Sequence, residues 1–200
     1  MKVKIKPLGL LVGLIVAVAL YFIMELIQNG IFSSPVITEK EIGPYTLVYT
    51  SYIGEYKNVG PVMDKVYYDL KNKYGIATTK GFGIYYDDPK KVSNDKLRSI
   101  IGCIVESKSI NEIGELRSRF GVYEYPKSKS VVAEFPYKGK MSVIIGILKC
   151  YPKLSAYIDS RNYASVPVME LYDQPNKKIE YISSYTIDVR TFLEMLDTAK

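Results

Sequence analysis

The sequence predicts an α+β fold. Two pseudo-symmetric βαββ units, antiparallel sheets with helices on one side, follow one transmembrane helix. Three observations predict it. Residues 8–24 carry no charge and are almost wholly apolar. Behind them, strand-like and helix-like stretches occur twice in the same order. The stretches GFGIYYDDP at 81–89 and PVMELYDQP at 167–175 both reach Tyr-Asp-x-Pro, 86 positions apart. The implied organisation is an N-terminal transmembrane signal anchor over 1–27, a tether over 28–40, a domain over 41–187 and a last helix over 188–200. Within the domain the repeats run over about 42–106 and 128–186.

Lys2, Lys4 and Lys6 precede the apolar run, and Glu25 is the only acid before residue 39. Adding Glu25–Ile27 at the interface gives a stretch of the roughly 20 residues that cross a bilayer as a helix. Tyr21 and Phe22 lie near its far end, where aromatic rings favour the membrane interface. A cleaved signal peptide is the rival reading. The small-residue triplet Ala17-Val18-Ala19 lies inside the apolar run, however, and more apolar residues follow it. An uncleaved, single-pass anchor is therefore expected. Three Lys before the helix, against Glu39, Lys40 and Glu41 after it, place the N-terminus in the cytosol and the domain outside. That is the periplasmic side if the cell is bacterial; the alternative is an ER membrane with a cytosolic domain. QNGIFSSPVITEK at 28–40 reads as a short polar tether.

YTLVYTSYI at 45–53 is rich in β-branched and aromatic residues and predicts a strand. Val62, Val66 and Leu70 then recur at helical spacing over 59–75, with Pro61 early and Gly75 at the stop. FGIYYDD at 82–88 and RSIIGCIVE at 98–106 are the next strands. INEIGELRSRFG at 110–121 reads as a short helix ending at Gly121. The second unit is SVVAEFPY at 130–137, a helix over 141–160 bent or interrupted at Pro152, and strands at 166–173 and 178–186. VRTFLEMLDTAK at 189–200 reads as a final amphipathic helix.

Composition excludes several chemistries. The chain has no His, which removes Ser-His-Asp and Cys-His catalysis and the commonest metal ligand. Its two cysteines, Cys103 and Cys150, form no CxxC, so no metal site is expected and both read as buried free thiols. No phosphate-binding glycine loop is present, and no cofactor is implied. The net charge is +6, but without a basic stripe after the anchor, so no nucleic-acid partner is expected. Nineteen Tyr fit either β-rich structure or an aromatic cleft.

Strand alternation puts Val168, Glu170 and Tyr172 on one face, and Met169 and Leu171 on the other against a helix. The same phase in the first repeat puts Phe82, Ile84 and Tyr86 with Glu170, in a groove where the helix-free faces of two sheets meet. From residues alone, Glu170 is either exposed, paired with a Lys, or a group for a cationic ligand. Asp87 and Asp88 point to opposite faces, so a turn with Pro89, tethered by Arg98, outweighs a metal pair.

GFGIYYDDPKKVSNDKLRSIIGCIV at 81–105 resembles the YYDxP…KLR signature of GyrI-like small-molecule-binding domains, and PVMELY at 167–172 resembles their later P-x-x-E-x-Y strand. These are the effector-binding domains of AraC- and MerR-type regulators, in a SOUL-like superfamily. The resemblance spans about residues 42 to 187. It implies an aromatic-lined ligand groove between the repeats, with Glu170 in the place of the family's ligand-pairing Glu. The expected ligand-binding set is Glu170, Tyr172, Tyr86, Ile84, Phe82 and Val168, holding a small amphipathic or cationic molecule at a membrane. FGVYEYPKSKSVVAEFPY at 120–137 and PKLSAYIDSRNYASVPVMELY at 152–172 are similar to a branch of animal ER-anchored autophagy receptors with one membrane helix and such a domain. That implies protein partners as an alternative, with none identified. A hydrolase of reactive small molecules using a Glu and a Tyr is another, although binding without turnover is the main expectation.

Overall fold

The computed structural model describes residues 7–106 and 113–199. Lys2, Lys4 and Lys6, on which the expected orientation rests, lie outside the described residues, as does part of the helix expected over 110–121. Helix α1 (Pro7–Gln28) forms where the chain is uncharged from end to end but for Glu25, and the domain buries none of its residues. The strands are β1 (Val36–Ile42), β2 (Tyr45–Ile53), β3 (Lys80–Tyr85), β4 (Arg98–Val105), β5 (Gly121–Tyr125), β6 (Ser128–Pro136), β7 (Val168–Asp173) and β8 (Lys178–Ser184). The further helices are α2 (Val59–Tyr74), the single-turn α3 (Ile113–Leu116), α4 (Lys140–Ser160) and α5 (Val189–Asp197). Gly75 closes α2 in a left-handed conformation with φ 68°, which a residue without a Cβ takes at no steric cost. Helix α4 is one element through Pro152.

All eight strands form one curled antiparallel sheet in the order β1-β6-β8-β7-β3-β4-β2-β5. The expectation of two separate sheets is corrected here. β3 and β7 hydrogen-bond directly, with Gly83 opposite Glu170 and Ile84 opposite Met169, so the halves share a central pair. The flanks run outward from that pair in mirrored order, β7-β8-β6 and β3-β4-β2.

Both outermost strands differ from the sequence reading. Residues 36–42, read as the end of a polar tether, form β1, pairing from Val36 opposite Glu134 to Ile42 opposite Ser128. Ile42 and Ile37 enter the cores on opposite faces, while Glu39, Lys40 and Glu41 supply the polarity of an edge strand that must not recruit further strands. β5 is the other edge, pairing Tyr125 with Tyr45.

Helices α2 and α4 cover one face of the sheet and α5 the other. Val66 and Leu70 of α2 pack on Val48, Cys103 and Val122. Ile145, Leu154 and Ile158 of α4 pack on Val131, Ala133, Phe135 and Ile179. On the opposite face Phe82, Ile84, Met169, Leu171 and Ile182 meet Phe192 and Met195 of α5. A nine-residue helix is marginal alone. Burying Phe192 and Met195 contributes about 1.5–3 kcal/mol each, and that holds α5 in place. Tyr49 Oη donates to the Met195 carbonyl at 3.0 Å and Tyr86 Oη to the Phe192 carbonyl at 2.7 Å. Cys103 and Cys150 are free and buried in different clusters; burial pushes their thiols up to about 11 and about 12, which makes them poor nucleophiles.

Candidate functional site

The central β3–β7 pair sets the site. On the face covered by α2 and α4, β7 presents Val168, Glu170 and Tyr172, and β3 presents Gly81, Gly83 and Tyr85. Two glycines in alternate positions of one strand leave the floor beside Glu170 without side chains. Neighbours occupy that space. A Cβ on Gly81 would lie 2.6 Å from the sulfur of Met63 on α2, and one on Gly83 would lie 2.9 Å from the Tyr85 hydroxyl. Met63 is an adaptable filler and Tyr85 a flat one, so both close the floor without a fixed bond to Glu170.

Glu170 is 2% exposed. Tyr172 Oη donates to its Oε2 at 2.6 Å, and Tyr151 Oη of α4 donates to its Oε1 at 2.9 Å. Among the described residues no Lys or Arg forms an ion pair with it. Burial pushes the Glu170 carboxyl up to about 7, and the hydrogen bonds from Tyr172 and Tyr151 pull it partly back. Burial, reinforced by the Glu170 charge, holds Tyr85, Tyr151 and Tyr172 well above the usual phenol range. Aromatic edges extend the enclosure: Tyr56 on Tyr85 at 4.8 Å, Tyr151 on Tyr181 at 5.6 Å, and Tyr137 on Tyr172 at 6.0 Å between ring centroids. The arrangement is one carboxyl group, half-titrated near neutral pH, inside an aromatic wall. A cation with apolar substituents satisfies such a carboxylate and stacks on such rings.

Of the six residues read from sequence as one groove, three are brought together, Val168, Glu170 and Tyr172, but on the face covered by α2 and α4 and not on the helix-free face expected. The other three are corrected. Phe82 and Ile84 lie opposite Leu171 and Met169, so they share the α5 face and are fully buried there. Tyr86 follows them, its hydroxyl spent on Phe192. In β3 the odd-numbered residues, not the even, face Glu170. Sequence reasoning missed Gly81, Gly83, Tyr85, Met63 and Tyr151. The alternating glycines were a usable signal, because glycine inside a strand marks close approach; Tyr151 had none, since its reach depends on where α4 docks. The turn reading of Asp87 holds. Arg98 grips it with Nη2 at 2.7 Å and Nε at 3.0 Å, its backbone N–H donates at 2.7 Å, and the guanidinium holds that carboxyl low.

Tyr172→Phe removes the shorter hydrogen bond to the ionised carboxylate. Such bonds contribute about 1.5–3 kcal/mol, so the variant is expected to lose about that much stability at about pH 8 and much less at about pH 5. Denaturant unfolding at both values checks it; an equal loss at the two would mean that the phenol does not support the charge.

A family model described as a GyrI-like small molecule binding domain matches residues 35–190. The chain is 27% identical over 177 residues to human Testis-expressed protein 264, covering 82% of this chain and 55% of that protein. It is 28% identical over 135 residues to the mouse homolog, covering 64% of this chain and 42% of the homolog. The chain thus spans about half the length of these relatives. In fold it is similar to EcmrR in a cryo-EM complex with DNA, at TM-score 0.57 and 10% identity over 85% of this chain and 64% of that one. The crystal structure of the EcmrR C-terminal domain matches at TM-score 0.51 and 14% identity over 76% of this chain and 96% of that domain.

Proposed function

The chain belongs to the GyrI-like small-molecule-binding domain family, and from that premise we propose that it captures an amphipathic cation over Glu170 at a membrane surface. Glu170 carries the proposal: a carboxyl group buried to 2% exposure whose hydrogen-bond partners are phenols. Burial with no cation at hand costs free energy, and an arriving cation recovers it. The rings of Tyr85, Tyr151 and Tyr172 supply apolar surface for the rest of the ligand. Entry requires Met63 and Tyr85 to swing off the two glycines, side-chain motions that leave the sheet intact. Helix α1 supports the membrane part. It is 22 residues long, its most apolar window has a mean hydropathy of 2.7, and none of its residues is buried in the domain. By the positive-inside bias of Lys2, Lys4 and Lys6, the domain stands on the non-cytosolic side.

The test uses the full chain in nanodiscs, titrated with benzyltriethylammonium at about pH 8. The wild type is expected to gain thermal stability with probe concentration, by mass action. Glu170→Gln, which keeps the shape and removes the charge, is expected to lose that response. Equal responses would show that Glu170 is not the recognition group.

A further inference from the structure

Resting on the reading that α1 crosses a bilayer, we propose that the outer face of the first half of α4 lies on that same bilayer. The end of α1 and the start of α4 are neighbours. Glu25, Gln28 and Asn29 line one concavity together with Lys138, Lys140 and Met141. If α1 ends at the interface, α4 begins there too.

The exposed surface of α4 changes character along its length. Met141, Ile144, Ile147 and Leu148 are exposed, Ile144 at 53% and Leu148 at 70%. After Pro152 the exposed positions are Lys153, Ser155, Ala156, Asp159 and Ser160, of which Ala156 alone is apolar and is small. Exposure of large apolar side chains on α4 is therefore confined to the two turns nearest the anchor. Phe32, in the segment leaving α1, is 82% exposed beside it. Its position is fixed. Lys149 Nζ donates to the Ser33 carbonyl at 2.8 Å and to the Ile31 carbonyl, gripping the chain on both sides of Phe32. That grip also occupies the ammonium group that follows Leu148 directly in the helix. At the start of the stripe, Lys138 and Lys140 are exposed, and their long stems can carry the ammonium groups to headgroup level. Apolar side chains below and lysines at the rim are the pattern of a helix lying in a membrane interface. Tyr151 follows Leu148 by less than one turn, so this contact sets the Glu170 enclosure beside the bilayer.

The chain contains no Trp, so a single introduced Trp is a background-free probe. The full chain carrying Phe32→Trp or Leu148→Trp is reconstituted into vesicles of phosphatidylcholine and phosphatidylglycerol with a quencher near the headgroup. Leu193→Trp, on the exposed side of α5 across the sheet, is the control, and Val16→Trp reports on the anchor. The expected result is blue-shifted emission at positions 32 and 148, most of it lost to the headgroup quencher. Position 193 stays bright, and position 16 responds to a mid-chain quencher. If 32 and 148 behave like 193 while 16 is quenched, α4 stands clear of lipid and the proposal is wrong. Blue-shifted but unquenched emission at 148 would mean contact with a second copy and would equally overturn it. If position 16 is unquenched, the anchor reading fails and the docking with it. None of these readouts involves ligand, so a failure here leaves the Glu170 reading standing.

Discussion

Glu170→Gln is expected to stabilise the protein by up to about 3 kcal/mol at about pH 8 while changing little at about pH 4. The cause is the raised carboxyl. Its value moves from 4.5 to about 7 on folding, a difference of roughly 2.5 units at about 1.36 kcal/mol each. The folded state keeps a proton that the unfolded chain has already released. The contribution is therefore fully present below 4.5, falls as pH rises between 4.5 and about 7, and is gone above about 7. Gln stands in for the protonated acid at every pH, and the two phenols can rotate to satisfy its amide. Other carboxyls act in the opposite sense. Arg98 holds Asp87 low, and Lys40 holds Glu134 low against the burial that would raise it, so their support disappears in acid. Wild-type stability is thus expected to peak at about pH 5, and the variant's curve to stay flat above that. Urea unfolding across the range decides it; parallel curves for the two proteins would show that Glu170 titrates as an ordinary surface acid.

Under the proposed capture of a cation at Glu170, ligand affinity is expected to change with the reverse sign. A cation needs the ionised carboxylate, so capture strengthens as pH rises through about 7, the window in which the empty protein loses stability. A charge that costs folding free energy and has no cationic partner among the described residues is the kind of feature retained for binding.

How far the sequence could lead is visible at this site. Glu170 stood out as a charge flanked by apolar residues within its strand, and its sharing a face with Val168 and Tyr172 follows from two-residue periodicity within one strand. Placing Phe82 and Ile84 beside it needed something no local pattern contains, the register between β3 and β7. The repeat offset aligns Ile84 with Glu170, but the sheet pairs Ile84 with Met169 and Gly83 with Glu170. A one-residue difference moves every side chain to the other face. Helices α2 and α4 and the central strands were legible because each buries a continuous apolar stripe, and α1 because it is apolar on all sides over most of its 22 residues. β1 and β5 were not, because edge strands are short or charged and resemble linkers. The covering of the helix-free face by α5 was equally hidden: the sequence announces an amphipathic helix but not the surface it closes.

Gly102→Ala is expected to cost about 3 kcal/mol or more, the upper end for overpacking a core. Gly102 lies in β4 opposite Tyr49 of β2 and Phe82 of β3. A Cβ there would run into the Val48 carbonyl oxygen and lie 2.7 Å from the Cα of Tyr49. Those are backbone atoms of the neighbouring strand, and no rotamer change moves them. Relief requires prising β2 from β4, which also withdraws Tyr49 from the α5 carbonyl it holds. The frame that keeps Gly83 opposite Glu170 loses its flank. At Gly83 the obstacles differ: the far ends of Tyr85 at 2.9 Å and of Ile101 at 3.1 Å, which can turn aside. Gly83→Ala therefore fills the floor of the site while leaving the sheet paired. The two variants separate scaffold from site. Gly102→Ala is expected to lower the denaturation midpoint and abolish probe binding together, and Gly83→Ala to weaken binding at a near-normal midpoint. A Gly102→Ala protein with the wild-type midpoint would mean that β2 does not approach β4 this closely, and that the curl of the sheet has another origin.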